Sequence, residues 1–221
     1  ELGVPFSDPQ ADGIVNQLAA ERALNAGMSA SKLMTLIQEF RTTHDTALVL
    51  FTYLNPVYAY GYEKFHTDAA AAGADGILLL DLPPDEVVNN HELASSKGLK
   101  HITLISPSTP KERLKMLAEQ SEGFVYALSR MGVTGAQAAP ASNIGEFVQS
   151  IKQHTDTPVC IGFGINAPEQ AAAIASVSDG VVVGSAIVNE VAENAESTAL
   201  ADNIGKFIQP LIHATKNSKH A

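Results

Sequence analysis

The sequence has a single cysteine, Cys160, and a shortage of positive charge. One cysteine excludes an internal disulfide framework and fits a reducing compartment, so we expect a cytoplasmic protein. Its 24 acidic residues outnumber 14 lysines and arginines, which gives a formal net charge of −10. Such a field repels polyanions, so the charge argues against nucleic acid or an anionic membrane surface as a partner.

Other common signals are missing as well. The sequence contains no apolar run of transmembrane length and no signal peptide with a basic start and a small-residue cleavage site. Its histidines do not follow HxxxH or HxH spacing, so we expect no metal site. The first predicted turn lacks the glycine-rich fingerprint of dinucleotide-binding sheets. With 45% hydrophobic and 17% charged residues, the chain has ample material for a globular core.

Short runs of aliphatic and β-branched residues alternate with segments of helical spacing. The runs are continuous in their apolar character, which is typical of parallel strands covered on both faces. We predict strands at residues 47–53, 76–80, 101–105, 124–128, 158–162 and 180–184. We predict helices at residues 15–41, 62–72, 85–96, 111–120, 142–154 and 168–175, with Gly27, Gly73 and Gly98 where helices should stop.

This repeat predicts one βα domain over residues 1–221, with a disordered tail from about residue 215, because no linker divides it. Repeated βα units form an open doubly wound sheet or a closed eight-stranded barrel. Glycines gather in residues 161–166 and 182–188, where barrels frequently bind phosphate after strands seven and eight. Counting back places Glu1 at the C-terminal end of strand two. The predicted fold class is therefore α/β, a (βα)8 TIM barrel that lacks its first strand and helix and most of its second strand in this chain.

The first residues of this chain include carboxylates, and the strand count places them at the C-terminal rim, where barrel enzymes have their catalytic residues. Glu1 and Asp12 could divide acid and base work if burial raises the pKa of one of two such groups. The alternative for Glu1 is a solvated chain end. For Asp12 the alternative is an N-cap of the following helix. Asp81 ends a predicted strand before two prolines, and we expect it to make a structural hydrogen bond at the rim, while Cys160 should be a small buried hydrophobe.

Two further segments point to a bound anion and a closing loop. Backbone N–H groups of Gly164, Gly184 and Ser185 could hold a phosphate, the last two at the start of a helix. Residues 127–137 contain Gly132 and Gly135 and predict a mobile loop that closes over substrate. An ordinary flexible connection would have the same composition.

Six motifs together carry a resemblance to a known family. They are GVPFSDPQADG at 3–13, YLNPVYAYG at 53–61, DLPP at 81–84, SRMGVTG at 129–135, GFGI at 162–165 and VVGSAIV at 182–188. In this order and spacing they resemble the α subunit of tryptophan synthase, an eight-stranded βα barrel, from residue 1 to about residue 195. The chain departs from many relatives at Ile14, where they place a proline.

The resemblance implies a lyase that cleaves indole-3-glycerol phosphate to indole and glyceraldehyde 3-phosphate by retro-aldol chemistry, without a metal or cofactor. It implies that Glu1 delivers and removes protons and that Asp12 holds the indole N–H. The implied substrate contacts are Tyr53, Leu78, Ile105 and Tyr126 around the indole, Phe163 near the glycerol phosphate, Thr134 toward Asp12, and Gly135, Gly164, Gly184 and Ser185 on the phosphate. Leu78 and Tyr126 could equally fill barrel layers for structural reasons.

The resemblance also implies a partner, the β subunit of an α2β2 heterotetramer, to which indole passes. Pyridoxal phosphate is expected only in that partner, and residues 7–13 are the implied contact surface. Two alternatives stay open. The chain could be another phosphate-ester barrel enzyme, such as a sugar-phosphate isomerase or epimerase, or a non-catalytic activator of the β subunit.

Overall fold

A computed structural model describes residues 1–129, 141–162 and 164–218. The chain divides into two compact units, residues 1–104 with 119–123 and residues 105–118 with 124–221. The strands are β1 Leu2–Gly3, β2 Val49–Thr52, β3 Gly76–Leu79, β4 Lys100–His101, β5 Thr103–Ile105, β6 Val125–Leu128, β7 Val159–Gly162 and β8 Gly180–Val182. The helices are α1 Ile14–Asn25, α2 Ala30–Arg41, α3 Leu54–Tyr60, α4 Tyr62–Ala72, α5 Val87–Ser96, α6 Lys111–Glu119, α7 Ala141–Lys152, α8 Pro168–Ala175, α9 Ser185–Glu193 and α10 Leu200–Asn217.

The first unit is built on a parallel sheet in the order β1-β2-β3-β4. Leu2 pairs with Leu50, and Leu50 pairs in turn with Ile77. All four residues of β3 are buried, as the continuous apolar run predicts. The core of this unit joins Leu50 and Ile77 to helix residues such as Ile37 and Phe65, each of which is fully buried.

The helical segment predicted over residues 15–41 forms two helices, α1 and α2, and the helix stop predicted at Gly27 is confirmed. Gly27 has a φ of +76°, a left-handed conformation that ends the first helix. The Met28 N–H donates to the carbonyl oxygen of Ala23 beyond that turn. Ser29 then caps α2, since its hydroxyl accepts a hydrogen bond from the Lys32 N–H.

The predicted strand 101–105 is two short strands. The Ile102 N–H donates to the Ile77 carbonyl, but the next N–H, that of Thr103, donates to the side-chain oxygen of Ser121. The N–H groups of these two residues point to opposite sides of the chain, and Ile102 separates β4 from β5. The boundary between the two units falls after Leu104.

The second unit contains the parallel strands β6, β7 and β8, which pair in this order. Tyr126 pairs with Cys160, and Gly162 pairs with Val182. Its core includes Val125, Ala127, Ile151, Val159, Ile161 and Ala171, all fully buried.

Helices α3 and α10 were not predicted, and the helix predicted over residues 85–96 begins with a short 3-10 turn at Pro84–Glu86. Helix α10 packs on α8 and extends through Asn217, so residues 215–217 of the predicted disordered tail are helical. Residues 219–221 lie outside the described part of the chain. Among the described residues, no helix is both long and apolar enough to cross a membrane. The prediction of one domain over residues 1–221 stays a prediction.

Candidate active site

Glu1 lies directly before β1, and β1 consists of the next two residues, Leu2 and Gly3. The prediction that Glu1 ends its strand is therefore wrong, because Leu2 and Gly3 still pair with β2. Although the residue as a whole is exposed, burial of its carboxyl group raises the pKa of Glu1 above the usual range. A carboxyl group that keeps its proton to higher pH is suited to act as a general acid.

Two side chains hold the carboxylate of Asp12. The Tyr53 hydroxyl donates to Oδ2 at 2.8 Å, and the Asn16 amide donates to Oδ1 at 3.2 Å. The N-cap of α1 is Gly13, which has no side chain to form a capping bond. The alternative interpretation of Asp12 as an N-cap is therefore wrong, and its carboxylate is available for another purpose.

Tyr53 links the end of β2 to the loop that carries Asp12. Its side chain is 4% exposed, and its ring lies 5.6 Å from that of Phe6, centroid to centroid. Its hydroxyl accepts the Ala11 N–H at 2.9 Å while it donates to Asp12. Burial raises the pKa of Tyr53 strongly, and the hydrogen bond to Asp12 raises it further. The phenol therefore stays a hydrogen-bond donor throughout the physiological pH range.

Hydrogen bonds from side chains to the backbone stabilise the segments that carry Asp12 and Tyr53. The Gln17 amide donates to the backbone carbonyl of Asp12 at 2.8 Å. Asp81 accepts the Leu54 N–H at 2.6 Å, which confirms the structural hydrogen bond predicted for Asp81. That bond fixes the first residue of α3, directly after Tyr53.

Two predicted indole contacts are fully buried. Leu78 lies in β3 between Ile77 and Leu79, which belong to the core of the first unit. Because side chains alternate along a strand, Leu78 faces the other side of the sheet. Ile105 packs instead in the core of the second unit with Leu114. Contact of either side chain with an indole ring stays a prediction.

Tyr126 is half-buried in β6, and its ring lies against Gly162 of the neighbouring strand β7. A Cβ atom added to Gly162 would lie 2.8 Å from the Tyr126 Cζ and 3.1 Å from the Val182 Cβ. Glycine therefore leaves room for the phenol ring.

A similarly close contact occurs at Gly180, where an added Cβ would lie 2.6 Å from the Cys160 sulfur. Cys160 is half-buried, so the prediction of a buried hydrophobe is only partly met.

The predicted phosphate contacts of the second unit follow β7 and β8. Gly164 has a φ of +72°, a backbone conformation that favours glycine. Gly184 and Ser185 are exposed, and they begin α9, which has no acidic residue in its first turn. Unpaired N–H groups and the helix dipole make such a start attractive to anions.

The remaining predicted site residues are Thr134, Gly135 and Phe163, which lie outside the described residues together with most of the predicted closing loop. Within the described part of the chain, no three His, Cys, Asp or Glu side chains are grouped to hold a metal ion. Sequence reasoning missed Asn16. Its signal was the i, i+4 spacing from Asp12 at the start of a helix.

The model of one protein family, the tryptophan synthase alpha chain, matches residues 1–215. A tryptophan synthase alpha chain of Desulfatibacillum aliphaticivorans is 43% identical over 216 residues, which are 98% of this chain and 82% of that protein. The alpha chain of Opitutus terrae is 46% identical over 194 residues, which are 88% of this chain and 73% of the relative.

Solved structures agree with the sequence relatives. The crystal structure of tryptophan synthase subunit alpha from Legionella pneumophila superposes with a TM-score of 0.87 at 35% identity, over 98% of this chain and 80% of that one. A chain of the tryptophan synthase α2β2 complex from Pyrococcus furiosus gives 0.83 at 34% identity, over 96% and 84%. This likeness confirms the predicted βα-barrel class. The chain belongs to the tryptophan synthase alpha chain family, and it is a lyase of that type.

Proposed function

We propose that this chain performs the alpha reaction of tryptophan biosynthesis, in which indole-3-glycerol phosphate is cleaved to indole and glyceraldehyde 3-phosphate, and that Glu1 and Asp12 carry the chemistry. Family membership supports the reaction. The assignment of residues depends on one observation. The carboxylate of Asp12 accepts a hydrogen bond from the buried Tyr53 and does not cap helix α1.

The reaction must turn an aromatic carbon into a leaving group. Protonation at C3 of the indole gives an indoleninium cation, whose ring nitrogen then accepts electrons. Removal of the glycerol hydroxyl proton breaks the carbon–carbon bond, and the electron pair returns to the ring. Glu1 delivers and removes these protons, which its raised pKa supports. Asp12 accepts the indole N–H and stabilises the positive charge of the ring as it develops.

In the second unit, we assign phosphate binding to Gly164 and to the start of α9 at Gly184 and Ser185. Exposure of the two α9 residues and the lack of an acid in the first turn support this assignment. Gly135 is assigned to the same phosphate. The proposed indole and glycerol contacts remain Tyr53, Leu78, Ile105, Tyr126, Thr134 and Phe163. The reaction as written requires no cofactor in this chain.

We also propose a β subunit as partner, in a cytoplasmic α2β2 heterotetramer. The α2β2 complex of the Pyrococcus furiosus relative supports this partner. Beside residues 7–13, helix α1 exposes Ile14 (65%) and Leu18 (46%), which lie one turn apart. Adjacent exposed aliphatic side chains are typical of the centre of a protein interface.

A competition experiment tests the proposal against another phosphate-ester enzyme. Indole-propanol phosphate should bind the purified chain, and ribulose phosphates at equal concentration should not displace it, because only the former presents an indole N–H to Asp12. Displacement by the sugar phosphates would favour an isomerase or epimerase. A chain that stimulates a β subunit yet releases no indole from indole-3-glycerol phosphate would favour the non-catalytic activator.

A further inference from the structure

Asn16 lies on the first turn of α1, four residues after Asp12. Its amide nitrogen donates to Oδ1 of Asp12, while the Tyr53 hydroxyl donates to Oδ2. Each carboxylate oxygen therefore has its own donor. The two donors come from different elements, the start of a helix and the end of β2. The remaining lone pairs of the carboxylate are available to a ligand.

The Asn16 side chain leaves its own carbonyl oxygen without a partner. Its Oδ1 is buried and has no hydrogen bond within the described part of the chain. An unpaired buried acceptor is destabilising, because it has lost its hydrogen bonds to water and gained none in the protein. Turning the amide over would place this oxygen against the Asp12 carboxylate, so the charge of Asp12 fixes the orientation of Asn16. A residue selected for packing alone would not need an amide here.

We propose that Asn16 is a positioning residue for the lyase reaction, which fixes the plane of the Asp12 carboxylate toward the indole N–H. This inference rests on the function proposed for Asp12. With the Tyr53 bond alone, the carboxylate can turn about its Cβ–Cγ bond. The second bond, on the other oxygen, prevents that rotation, and catalysis depends steeply on such orientation. The distance of 3.2 Å is long for a hydrogen bond to a charged acceptor, and it should shorten when substrate binds.

Asn16→Leu separates positioning from structural support. Leucine keeps the approximate volume and removes both the donor and the unpaired acceptor. We expect kcat for indole release to fall about tenfold while KM changes little, because orientation acts mainly on the transition state. We expect the thermal midpoint to stay the same or rise, since a buried unpaired oxygen disappears. A purely structural residue would give the reverse, a lower midpoint and a normal kcat for the folded protein.

Two further variants complete the test. Asn16→Asp is nearly isosteric and replaces the donor with a second carboxylate, so kcat should fall further than in Asn16→Leu. Glu21→Gln is the control, because Glu21 is an exposed residue of the same helix, more than one turn beyond Asn16; its kcat should stay at the wild-type value. Wild-type kcat in both Asn16 variants would overturn the positioning role alone. A wild-type chain that releases no indole would overturn the proposed function, and the positioning role with it.

Discussion

A buried histidine should make the first unit sensitive to acid. His101 in β4 is 2% exposed, and it faces His91 of α5, His66 of α4 and Glu122. The rings of His91 and His101 lie 5.9 Å apart, centroid to centroid. Burial, together with a smaller effect of the nearby His91, lowers the pKa of His101 from 6.5 to about 4, although Glu122 opposes the change. Burial lowers the pKa of His66 as well.

The lowered pKa of His101 determines the sign and the size of the change in folding stability with pH. The unfolded chain binds a proton at His101 below about pH 6.5, whereas the folded chain resists it until about pH 4. The contribution to stability is therefore complete above pH 6.5 and is lost as the pH falls toward 4. At about 1.4 kcal/mol per tenfold change in proton affinity, the loss is roughly 3 kcal/mol. His66 acts in the same direction.

Urea unfolding between about pH 7.5 and pH 4.5 measures this loss. The midpoint of wild type should fall steeply over that range. His101→Leu cannot bind a proton at this position and should show a flatter profile. His213→Gln changes an exposed ring and serves as the control, with the wild-type slope expected. Identical slopes in wild type and His101→Leu would refute the reasoning.

Two substitutions near the site have opposite expected signatures. Gly162→Ala forces a methyl group against the Tyr126 ring and should destabilise the fold by about 1–3 kcal/mol in thermal unfolding, whereas Gly205→Ala, on an open stretch of α10, should not. An unchanged midpoint in Gly162→Ala would contradict the close packing. Tyr53→Phe keeps the buried ring but removes the donor to Asp12, so kcat for indole release should fall about tenfold with little change in the thermal midpoint. A normal kcat would show that this hydrogen bond is dispensable.

Local signals predicted some elements to the residue. Helices α4 and α8 have the predicted bounds. Gly73 ends the first in a left-handed conformation, and Pro168 begins the second at a position where its missing N–H costs nothing. Gly27 likewise indicated the break between α1 and α2, although helical spacing continues on both sides of the turn. The single residue Ile102 separates β4 from β5, and the continuous apolar run of residues 101–105 gave no sign of this break.

The residues of the candidate site were likewise predictable only in part. Rim motifs identified Glu1 and Asp12 as candidates, and the spacing of Asp12 and Asn16 was readable from the sequence. The bond from Tyr53 to Asp12 joins residues 41 apart, and only the pairing of β1 with β2 brings their segments together. The group of His66, His91 and His101 likewise comes from three elements, so their sequence spacing gave no sign of it.

Indole formation from indole-3-glycerol phosphate by wild type and Glu1→Gln is the decisive measurement. Glutamine keeps the shape of the side chain and replaces the ionisable carboxyl group with an amide, which does not act as an acid or base near neutral pH. Wild type should release indole, and Glu1→Gln should be slower by about 100-fold or more, as expected for a lost general acid–base. Its thermal midpoint should stay close to that of wild type. A folded Glu1→Gln protein that releases indole at the wild-type rate would contradict the assignment of proton transfer to Glu1.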